Sequence, residues 1–228
     1  MTPMARIYNT ADPREREEGI AAATGALRRG ELVILPTDTV YGIAADAFSP
    51  LAVMSLLGAK GRGREMPPPV LISSVGTINA LARDIPGWVH ELVDRFWPGP
   101  LTVVCNQQSS LQWDLGETRG TVAVRMPKDD VTLELLGRTG PLAVSSANIS
   151  GQPAAVDAAT AHDMLGAATA VVLDAGPSPE GEGSTILDCT QVQPRILREG
   201  ALKTSVLVEA LTALGVELGD FDDPAESQ

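Results

Sequence analysis

The sequence contains few of the residues that build disulfide-linked, metal-binding or membrane-spanning proteins. Its 228 residues include two cysteines and two histidines, with no C-x-x-C spacing, so no metal ligands are predicted. Cys105 and Cys189 adjoin strand-like sequence and are expected to be reduced core thiols. Apolar runs such as 32–35 and 170–173 are far below the roughly 20 residues of a spanning helix. The N-terminus lacks the apolar segment of a signal peptide, so a cytoplasmic location is expected.

Signatures of several common enzyme classes are also missing. The chain has neither a Walker A sequence nor a G-x-G-x-x-G segment between a strand and a helix. It has no G-x-S-x-G nucleophile motif, and neither His90 nor His162 has the context of a catalytic triad. Serine-nucleophile chemistry is therefore not expected, and any nucleotide site must be of a less common kind.

Acidic residues outnumber basic ones along the chain. The 29 Asp and Glu residues against 17 Lys and Arg residues give a net charge of −12, and a field of that sign repels polyanions. An extensive nucleic-acid-binding face is therefore disfavoured, whereas one compact basic pocket for a nucleotide is compatible with the total. Part of the excess lies in residues 216–228, which are predicted to form a disordered acidic tail.

Helix and strand signals alternate along residues 5–215 and predict a single α/β domain. Asp12 followed by proline is typical of a helix start, and the apolar run that Pro36 ends is typical of a buried strand. Several predicted strands follow one another directly, which favours a mixed sheet with helices packed on it. The predicted helices are 12–30, 49–59, 86–96, 129–138, 156–165 and 204–214. The predicted strands are 32–35, 69–72, 101–105, 121–125, 142–145, 170–174, 185–188 and 195–197.

Unusual polar residues follow the first buried strand, in the segment PTDTVYG at 36–42. Pro36 ends the strand, Thr37 and Thr39 flank a carboxylate, and Gly42 lets the backbone approach a neighbour closely. The hydroxyl groups are suited to the ammonium or carboxylate of an amino acid. The alternative is a tight turn whose Thr and Asp side chains cap a neighbouring helix. Composition alone does not decide between the two interpretations.

The densest positive charge is the segment KGRGR at the end of a predicted helix, with Lys60, Arg62 and Arg64 separated by glycines. Arginine offers fork-shaped donors suited to phosphate, and lysine offers a compact charge for another oxygen. The alternative is that these cations complement the helix C-terminus. Glycines are a poor choice for a helix end that needs only charge, so the pattern favours phosphate binding.

The predicted strand TVAVR carries a cation in an apolar context. Alternation predicts Val122 and Val124 on one face, and Thr121, Ala123 and Arg125 on the other. An arginine on a half-buried strand needs an anionic partner to offset its desolvation. Either a carboxylate substrate or a structural aspartate would satisfy it.

Small hydroxyl residues and an amide follow a later strand, in the segment LAVSSANISG at 142–151. Backbone N–H groups exposed in such a turn form an anion-binding nest, which is one interpretation of this segment. The segments 107–116 and 176–183 are predicted to be flexible, the second as a flap over a site.

Taken in order, these segments resemble the YrdC-like family of threonylcarbamoyl-adenylate synthases, and the resemblance extends over residues 5–200. The matching segments are PTDTVYGI (36–43), KGR (60–62), FWPGPLT (96–102), VAVRMP (122–127), SSANISG (145–151), STILD (184–188) and ILREG (196–200). The resemblance implies an α/β fold in which helices pack on a twisted mixed sheet with a concave ligand cavity. It also implies a nucleotidyltransferase that joins L-threonine, bicarbonate and ATP for a tRNA modification and releases pyrophosphate.

The resemblance further implies roles for individual residues. Those implied to contact the substrate threonine are Thr39, Arg125, Ser146 and Ser184. Those implied to contact ATP are Lys60, Arg62, Thr121, Asn148 and Arg198. Of these, Lys60 and Arg62 lie on the phosphates and are the implied catalytic residues. Mg²⁺ is the implied cofactor that accompanies ATP, and the tRNA threonylcarbamoyl transferase is the implied recipient of the product.

The chain departs from the family pattern at two positions. Many members read N-P-L-I-V-H after the K-x-R pair, and here Met66 and Leu71 stand in place of the asparagine and histidine. Polar ligand contacts are therefore not expected at these positions. Two other functions remain as alternatives: a non-catalytic RNA-binding module, which the negative charge disfavours, and a paralogue that carbamoyl-adenylates a different acceptor.

Overall fold

The computed structural model describes residues 5–219, in which strands and helices alternate along the chain. The described α-helices are α1 (Pro13–Arg28), α2 (Pro50–Lys60), α3 (Ile78–Leu81), α4 (Gly87–Phe96), α5 (Asp130–Thr139), α6 (Ala158–Leu165) and α7 (Thr204–Ala213). The described strands are β1 (Arg6–Asn9), β2 (Leu32–Leu35), β3 (Gly42–Asp46), β4 (Val70–Leu71), β5 (Ala82–Arg83), β6 (Leu101–Gln107), β7 (Thr121–Arg125), β8 (Leu142–Ser146), β9 (Thr169–Asp174), β10 (Thr185–Asp188) and β11 (Arg195–Arg198).

These strands form one sheet with both parallel and antiparallel pairs. Its order is β1-β9-β2-β3-β8-β4-β7-β6-β10-β11, and β5 pairs with β6. The pairs β1–β9, β2–β9, β4–β7 and β6–β10 are parallel, whereas pairs such as β2–β3, β3–β8 and β6–β7 are antiparallel. The predicted mixed sheet with helices packed on it is therefore confirmed.

Three strands of this sheet, β1, β3 and the two-residue β5, were not predicted from the sequence. β1 has the sequence RIYN, and most of its side chains are exposed at the edge of the sheet, so it lacks the apolar alternation of a half-buried strand. β3 has the sequence GIAAD, and glycine and alanine are depleted in strands. β3 forms because β2 and β8 pair with it on both sides.

The helix starts follow the capping signals in the sequence. The Asp12 carboxylate accepts hydrogen bonds from the N–H groups of Arg14 and Glu15, at 2.9 and 3.0 Å, at the start of α1. Ser49 caps α2 in the same way, and α2 ends at Gly61, whose φ of 63° is left-handed. The chain therefore changes direction immediately after α2, where the cationic segment begins.

Helices pack on both faces of the sheet and form two apolar cores. Residues of α2, α4, α6 and α7 belong to the larger core, and residues of α1 and α5 belong to the smaller core. Alternation along β2 divides the strand between them, with Leu32 and Ile34 in the larger core and Val33 and Leu35 in the smaller one. The sheet is thus the middle layer of the fold.

The face that carries the smaller core also carries the candidate site, and we call it the ligand face. Val122 and Val124 of β7 belong to the larger core, so Thr121 and Arg125 project towards the ligand face, as alternation predicted. The register partner of Arg125 is Leu71 of β4, which belongs to the smaller core. One part of the ligand face is therefore packed under α1 and α5, and the adjoining part forms a cavity.

The ordered chain extends beyond the predicted domain boundary at residue 215. Val216 and Leu218 pack against the larger core, and the Gly219 N–H donates to the Pro194 carbonyl at 2.8 Å. The first residues of the predicted acidic tail are thus part of the packed structure. Residues 220–228 of that tail lie outside the described residues.

The two cysteines are free and buried, which confirms the prediction for Cys105 and Cys189. Both belong to the larger core. None of the described helices is long and apolar enough to cross a membrane.

Replacing Gly42 with alanine is expected to destabilise the fold at the floor of the cavity. A β-carbon there would lie 2.6 Å from Val144 Cγ1 and 3.3 Å from Leu35 Cδ1. Overpacking of this kind lowers the free energy of unfolding by about 1–3 kcal/mol, measurable by urea denaturation. Gly58→Ala in α2 is the matched control, since an added β-carbon there meets nothing within 4 Å. If Gly42→Ala lowered the free energy of unfolding no more than the control does, the close approach of the Gly42 backbone to Val144 and Leu35 would be contradicted.

Candidate active site

A cavity of about 390 Å³ opens on the ligand face. Its walls come from β3, β4, β6, β7, β8, β10 and β11 and from loops that adjoin them. Six of the residues to which the resemblance assigns a ligand contact line this cavity: Thr39, Arg62, Arg125, Ser146, Ser184 and Arg198. Distant parts of the chain thus converge on one concave surface, as the predicted fold requires.

The segment after β2 is a tight turn held by Thr37. Thr37 Oγ1 accepts from the N–H groups of Thr39 and Val40, both at 3.2 Å, and donates to the Val40 carbonyl at 2.6 Å. The Thr39 hydroxyl lies 3.0 Å from Thr37 Oγ1 and is almost fully buried. The segment is therefore a tight turn, and its two threonines line the cavity, whereas their contact with an amino acid stays a prediction.

Arg125 is buried and paired with a structural aspartate. Its Nη2 donates to Asp38 Oδ1 at 2.5 Å, its Nη1 to Thr39 Oγ1 at 2.8 Å and its Nε to the Gly99 carbonyl at 3.0 Å. The side chains of Arg125 and Asp38 are 7% and 6% exposed. Burial lowers the pKa of Arg125, although the carboxylate of Asp38 acts to raise it. The structural partner that the sequence left open is therefore present, and Arg125 also lines the cavity.

Lys60 lies behind the cavity wall. Its side chain is 0% exposed, and its ammonium group donates to the Ser146 carbonyl and to the carbonyl and side-chain oxygens of Asn148, the last two at 2.6 and 3.3 Å. Burial, and to a lesser extent the charge of Arg62, lowers the pKa of Lys60 to about 8. Two implied ATP ligands, Lys60 and Asn148, thus contact each other, and their contacts with ATP stay predictions.

The other two cations of the segment diverge after Gly61. Arg62 lines the cavity, and its Nη1 donates to Ser145 Oγ at 3.2 Å. Arg64 turns to the surface, where its guanidinium pairs with Asp114 at 2.7 Å and is half exposed. The sequence pattern suggested that all three cations face phosphate, whereas Arg62 is the member of this segment that the structure places in the cavity wall.

The loop that follows β8 is the segment considered from the sequence as an anion-binding nest. Three of its N–H groups are used inside the protein: those of Ala147, Asn148 and Ser150 donate to the carbonyls of Tyr41, Ser146 and Lys60, at 2.7, 2.9 and 3.1 Å. These three groups are not free for an anion, and anion binding by the other N–H groups of the segment stays a prediction. The end of β8 contributes Ser145 and Ser146 to the cavity.

The ends of β10 and β11 form the opposite wall of the cavity. Ser184 Oγ lies 2.8 Å from Thr102 Oγ1, and Arg198 donates from Nη2 and Nε to the Ser184 carbonyl, at 2.7 and 3.2 Å. Gly200 packs so closely that a β-carbon there would collide with the Gly183 carbonyl. The positions of Ser184 and Arg198 are therefore fixed by direct contact between the two strands.

Three arginines line this cavity, together with Glu182 and Glu199. Burial lowers the pKa of Arg62, Arg125 and Arg198. The charge of Arg62 further lowers the pKa of Arg198, and that of Arg198 further lowers the pKa of Arg125. Arg198 is thus close enough to the other two guanidinium groups for repulsion, while the charge of Glu182 acts to raise the pKa of Arg198. An anion bound among them would relieve both the repulsion and the cost of burial.

A second cavity, of about 250 Å³, adjoins the first. Thr102 and Ile186 line both cavities. Thr121, an implied ATP ligand, lines the second cavity, and its hydroxyl donates to the Thr118 carbonyl at 2.8 Å. The structure therefore places Thr121 beside the main cavity, on the same face of the sheet.

Tyr41 connects several site segments and was not singled out from the sequence. Its side chain is 0% exposed, and its hydroxyl donates to the Gly176 carbonyl at 2.6 Å and accepts from the Ala175 N–H at 3.1 Å. Burial raises the pKa of this hydroxyl. Its only signal in the sequence is its place beside Gly42 in the polar segment. Other polar cavity residues, to which the resemblance assigns no role, are Thr37, Thr102, Ser145, Glu182 and Glu199.

The predicted flap, residues 176–183, lies against the turn that follows β2. Its hydrogen bonds join the Ser178 N–H to the Val156 carbonyl at 2.7 Å, the Ser178 hydroxyl to the Thr37 carbonyl at 3.0 Å, and the Glu180 N–H to the Asp38 carbonyl at 3.0 Å. Glu182 of the same segment lines the cavity and pairs with Lys203 at 2.9 Å. The segment is therefore placed as a flap would be, and its flexibility stays a prediction.

The fold and the cavity define an α/β protein whose cationic, hydroxyl-rich concave site suits an anionic ligand. A family model for the Sua5, YciO and YrdC proteins, described as "Telomere recombination", matches residues 25–200. The chain belongs to this family.

Individual relatives extend this similarity. The chain is 53% identical over 208 residues to a protein of Mycobacterium tuberculosis, covering 91% of this chain and 96% of the relative. It is 39% identical over 201 residues to the threonylcarbamoyl-AMP synthase of Pyrococcus abyssi, covering 87% of this chain and 58% of the relative. The crystal structure of P. abyssi Sua5 complexed with L-threonine matches with a TM-score of 0.86 at 32% identity, over 94% of this chain and 63% of that chain.

Replacing Asp38 with alanine is expected to destabilise the protein strongly, because it leaves the buried Arg125 without its counter-charge. Removing one partner of a buried ion pair lowers the free energy of unfolding by about 3–5 kcal/mol, measurable by urea denaturation. Glu31→Ala is the control, since the Arg29–Glu31 pair is 63% and 44% exposed and such pairs contribute at most about 1 kcal/mol. Equal effects of the two substitutions would show that Arg125 does not depend on Asp38.

Proposed function

We propose that this chain synthesises threonylcarbamoyl-adenylate from L-threonine, bicarbonate and ATP and releases pyrophosphate. The observation that carries the proposal is the convergence of Arg62, Arg125 and Arg198 on one hydroxyl-lined cavity in a chain of net charge −12. Membership of the family, and relatives that bear the name threonylcarbamoyl-AMP synthase, support the same activity.

We assign the two ends of the cavity to the two larger substrates. At one end, Arg125 would bind the carboxylate of threonine, while Thr39, Ser184 and Ser146 orient the amino acid. Arg125 retains an N–H on each of Nη1 and Nη2 beyond those that bind Thr39 and Asp38. A carboxylate can therefore bind without breaking the buried ion pair.

At the other end, Arg62 and Arg198 would bind the triphosphate. Their guanidinium groups carry fork-shaped donors, and burial has already removed part of their hydration. Thr121, in the adjoining cavity, would lie on the nucleotide side. Lys60 and Asn148 belong to the wall behind this end.

The reaction would proceed in two steps. The unprotonated amine of threonine forms a C–N bond with carbon dioxide derived from bicarbonate and releases a proton to give a carbamate. A carbamate oxygen then attacks the α-phosphorus of ATP in line, and the bond to the β-phosphate oxygen breaks to release pyrophosphate. The protein contributes positioning and charge neutralisation, and no covalent nucleophile is required.

Mg²⁺ is the cofactor we propose to accompany ATP. Mg²⁺ retains several waters and is bound through one or two carboxylates together with substrate phosphates. The carboxylates of Glu182 and Glu199 line the cavity and fit this donor set. No group of three or more His, Cys, Asp or Glu residues suited to a metal occurs among the described residues. When bound, Mg²⁺ would offset negative charge on the phosphates.

The product would next be consumed by an acyl transfer to tRNA. We propose direct handover to the tRNA threonylcarbamoyl transferase, because an acyl-adenylate hydrolyses when it is exposed to water. An extensive nucleic-acid face is not part of the proposal, since the net charge of −12 opposes one.

The decisive experiment measures pyrophosphate release by the purified full-length chain with threonine, bicarbonate and ATP, omitting each in turn. Release is expected only with all three present, and replacing threonine by other amino acids tests for a different acceptor. RNA binding that weakens steeply with salt, without pyrophosphate release, would contradict the proposal and favour an RNA-binding module.

Arg62→Met is expected to lower kcat/KM for ATP about 10²–10³-fold, because it removes a cation aimed at the transferring phosphate. Arg64→Met is the matched control: it removes a charge two residues away that pairs with Asp114 at the surface. The control is expected to stay within about two-fold of the unmodified chain. Wild-type turnover in Arg62→Met would refute the phosphate assignment.

A further inference from the structure

Lys60 ends α2 on the buried side of the helix. The buried residues of α2 are Ala52, Val53, Leu56, Leu57 and Lys60, a stripe that recurs every three to four residues. Lys60 therefore continues the apolar stripe that packs into the larger core. The side chain of Arg62, beyond the left-handed Gly61, instead lines the cavity.

All the donors of the Lys60 ammonium group bind one segment, which is the end of β8 and the loop after it. An ammonium group has three N–H donors. In the structure these donors meet the carbonyl of Ser146, the carbonyl of Asn148 and the side-chain oxygen of Asn148. The carbonyl of Lys60 in turn accepts from the Ser150 N–H at 3.1 Å. Both the side chain and the backbone of Lys60 thus hold the loop that follows β8.

We infer that Lys60 is a positioning residue: it holds segment 145–151, which is the end of β8 and the loop after it, against the end of α2 in the alignment that the reaction requires. This inference rests on the proposed function for the identity of the reaction. Arg62 also contacts this segment, since it donates to Ser145 Oγ at 3.2 Å. In the K-x-R motif, Lys60 thus holds this segment in place, and Arg62 faces the ligand.

Direct contact between Lys60 and phosphate would require the ammonium group to leave these acceptors. The carbonyls of Ser146 and Asn148 would then lose their donor, and a buried acceptor without a donor is costly. The Lys60 side chain is 0% exposed, so a ligand in the cavity does not reach it without rearrangement of the loop. The lowered pKa of Lys60, caused first by burial, agrees with its place inside the protein.

The test compares Lys60→Met, Lys60→Arg, Arg62→Met and Arg64→Met in the full-length chain. Pyrophosphate binding is measured by calorimetry, and kcat by threonine-dependent pyrophosphate release. Lys60→Met is expected to lower kcat about 100-fold, because small displacements of reacting groups have effects of this size. Its Kd for pyrophosphate should stay within about three-fold, whereas Arg62→Met should raise that Kd about 10- to 100-fold by loss of a charged hydrogen bond.

Lys60→Arg separates positioning from charge. If Lys60 only supplied positive charge to phosphate, arginine would restore kcat and Kd. The positioning role predicts that arginine does not restore kcat, because its planar fork does not match three acceptors arranged around one nitrogen. Arg64→Met should leave both quantities unchanged. Restoration by Lys60→Arg, with a Kd in Lys60→Met as weak as in Arg62→Met, would overturn the inference.

Hydrogen exchange tests the positioning role of Lys60 without any ligand. Amides of loop 145–151 are expected to exchange at least about ten-fold faster in Lys60→Met than in the unmodified chain, and not in Arg64→Met. Unchanged exchange would overturn the inference.

Should Lys60→Met fail to fold, Asn148→Ala provides a second variant, because it removes one acceptor of the Lys60 ammonium group. It should lower kcat at an unchanged Kd for pyrophosphate. A Kd weakened as in Arg62→Met would again overturn the inference. If the unmodified chain releases no pyrophosphate, the proposed function fails, and hydrogen exchange still tests whether Lys60 holds this segment in place.

Discussion

The buried positive charges around the cavity are the constraint on which the rest of the structure depends. Removing an arginine or lysine from water is costly unless protein groups replace the water. Arg125 has one carboxylate, a hydroxyl and a carbonyl, and Lys60 has three uncharged oxygens. Arg62 has a hydroxyl partner, and its Nε is buried without a hydrogen bond among the described residues. Protein groups therefore replace the lost water most completely around Arg125 and Lys60. They replace it least completely around Arg62, which lines the cavity.

Two of these cations join segments that are distant in sequence: Arg125 binds the turn after β2, and Lys60 binds the end of β8 and the loop after it. Arg125 also lines the cavity. Because these contacts join distant segments, the shape of the cavity depends on the tertiary fold. The arginines that face the ligand can then sit in place before it binds, so the reaction requires little reorganisation of the protein.

The sequence predicted the sheet class and most element boundaries, because apolar periodicity is a local signal. Polar residues at the ends of helices and strands, also a local signal, indicated four of the cavity residues, whereas Ser184 and Arg198 were implied only by the resemblance to the family. It did not predict the direction of Lys60, since a short K-x-R motif does not show that Gly61 reverses the chain between the two cations. A signal was nevertheless present, because Lys60 continues the buried stripe of α2. The partner of Arg125 and the role of Tyr41 depend on contacts across the sheet, which no local pattern contains.

The acidic net charge and the cationic cavity act over different distances. At physiological ionic strength the Debye length is about 8 Å, so exposed carboxylates further away are largely screened from a ligand inside the cavity. A nucleotide that enters the cavity therefore meets mainly the charges of its lining, which are three arginines and two glutamates. A tRNA extends over many Debye lengths and would lie against the acidic surface, where repulsion acts at every contact. The same charge pattern thus admits ATP and disfavours RNA, which agrees with an enzyme that makes the activated intermediate and leaves the transfer to tRNA to another protein.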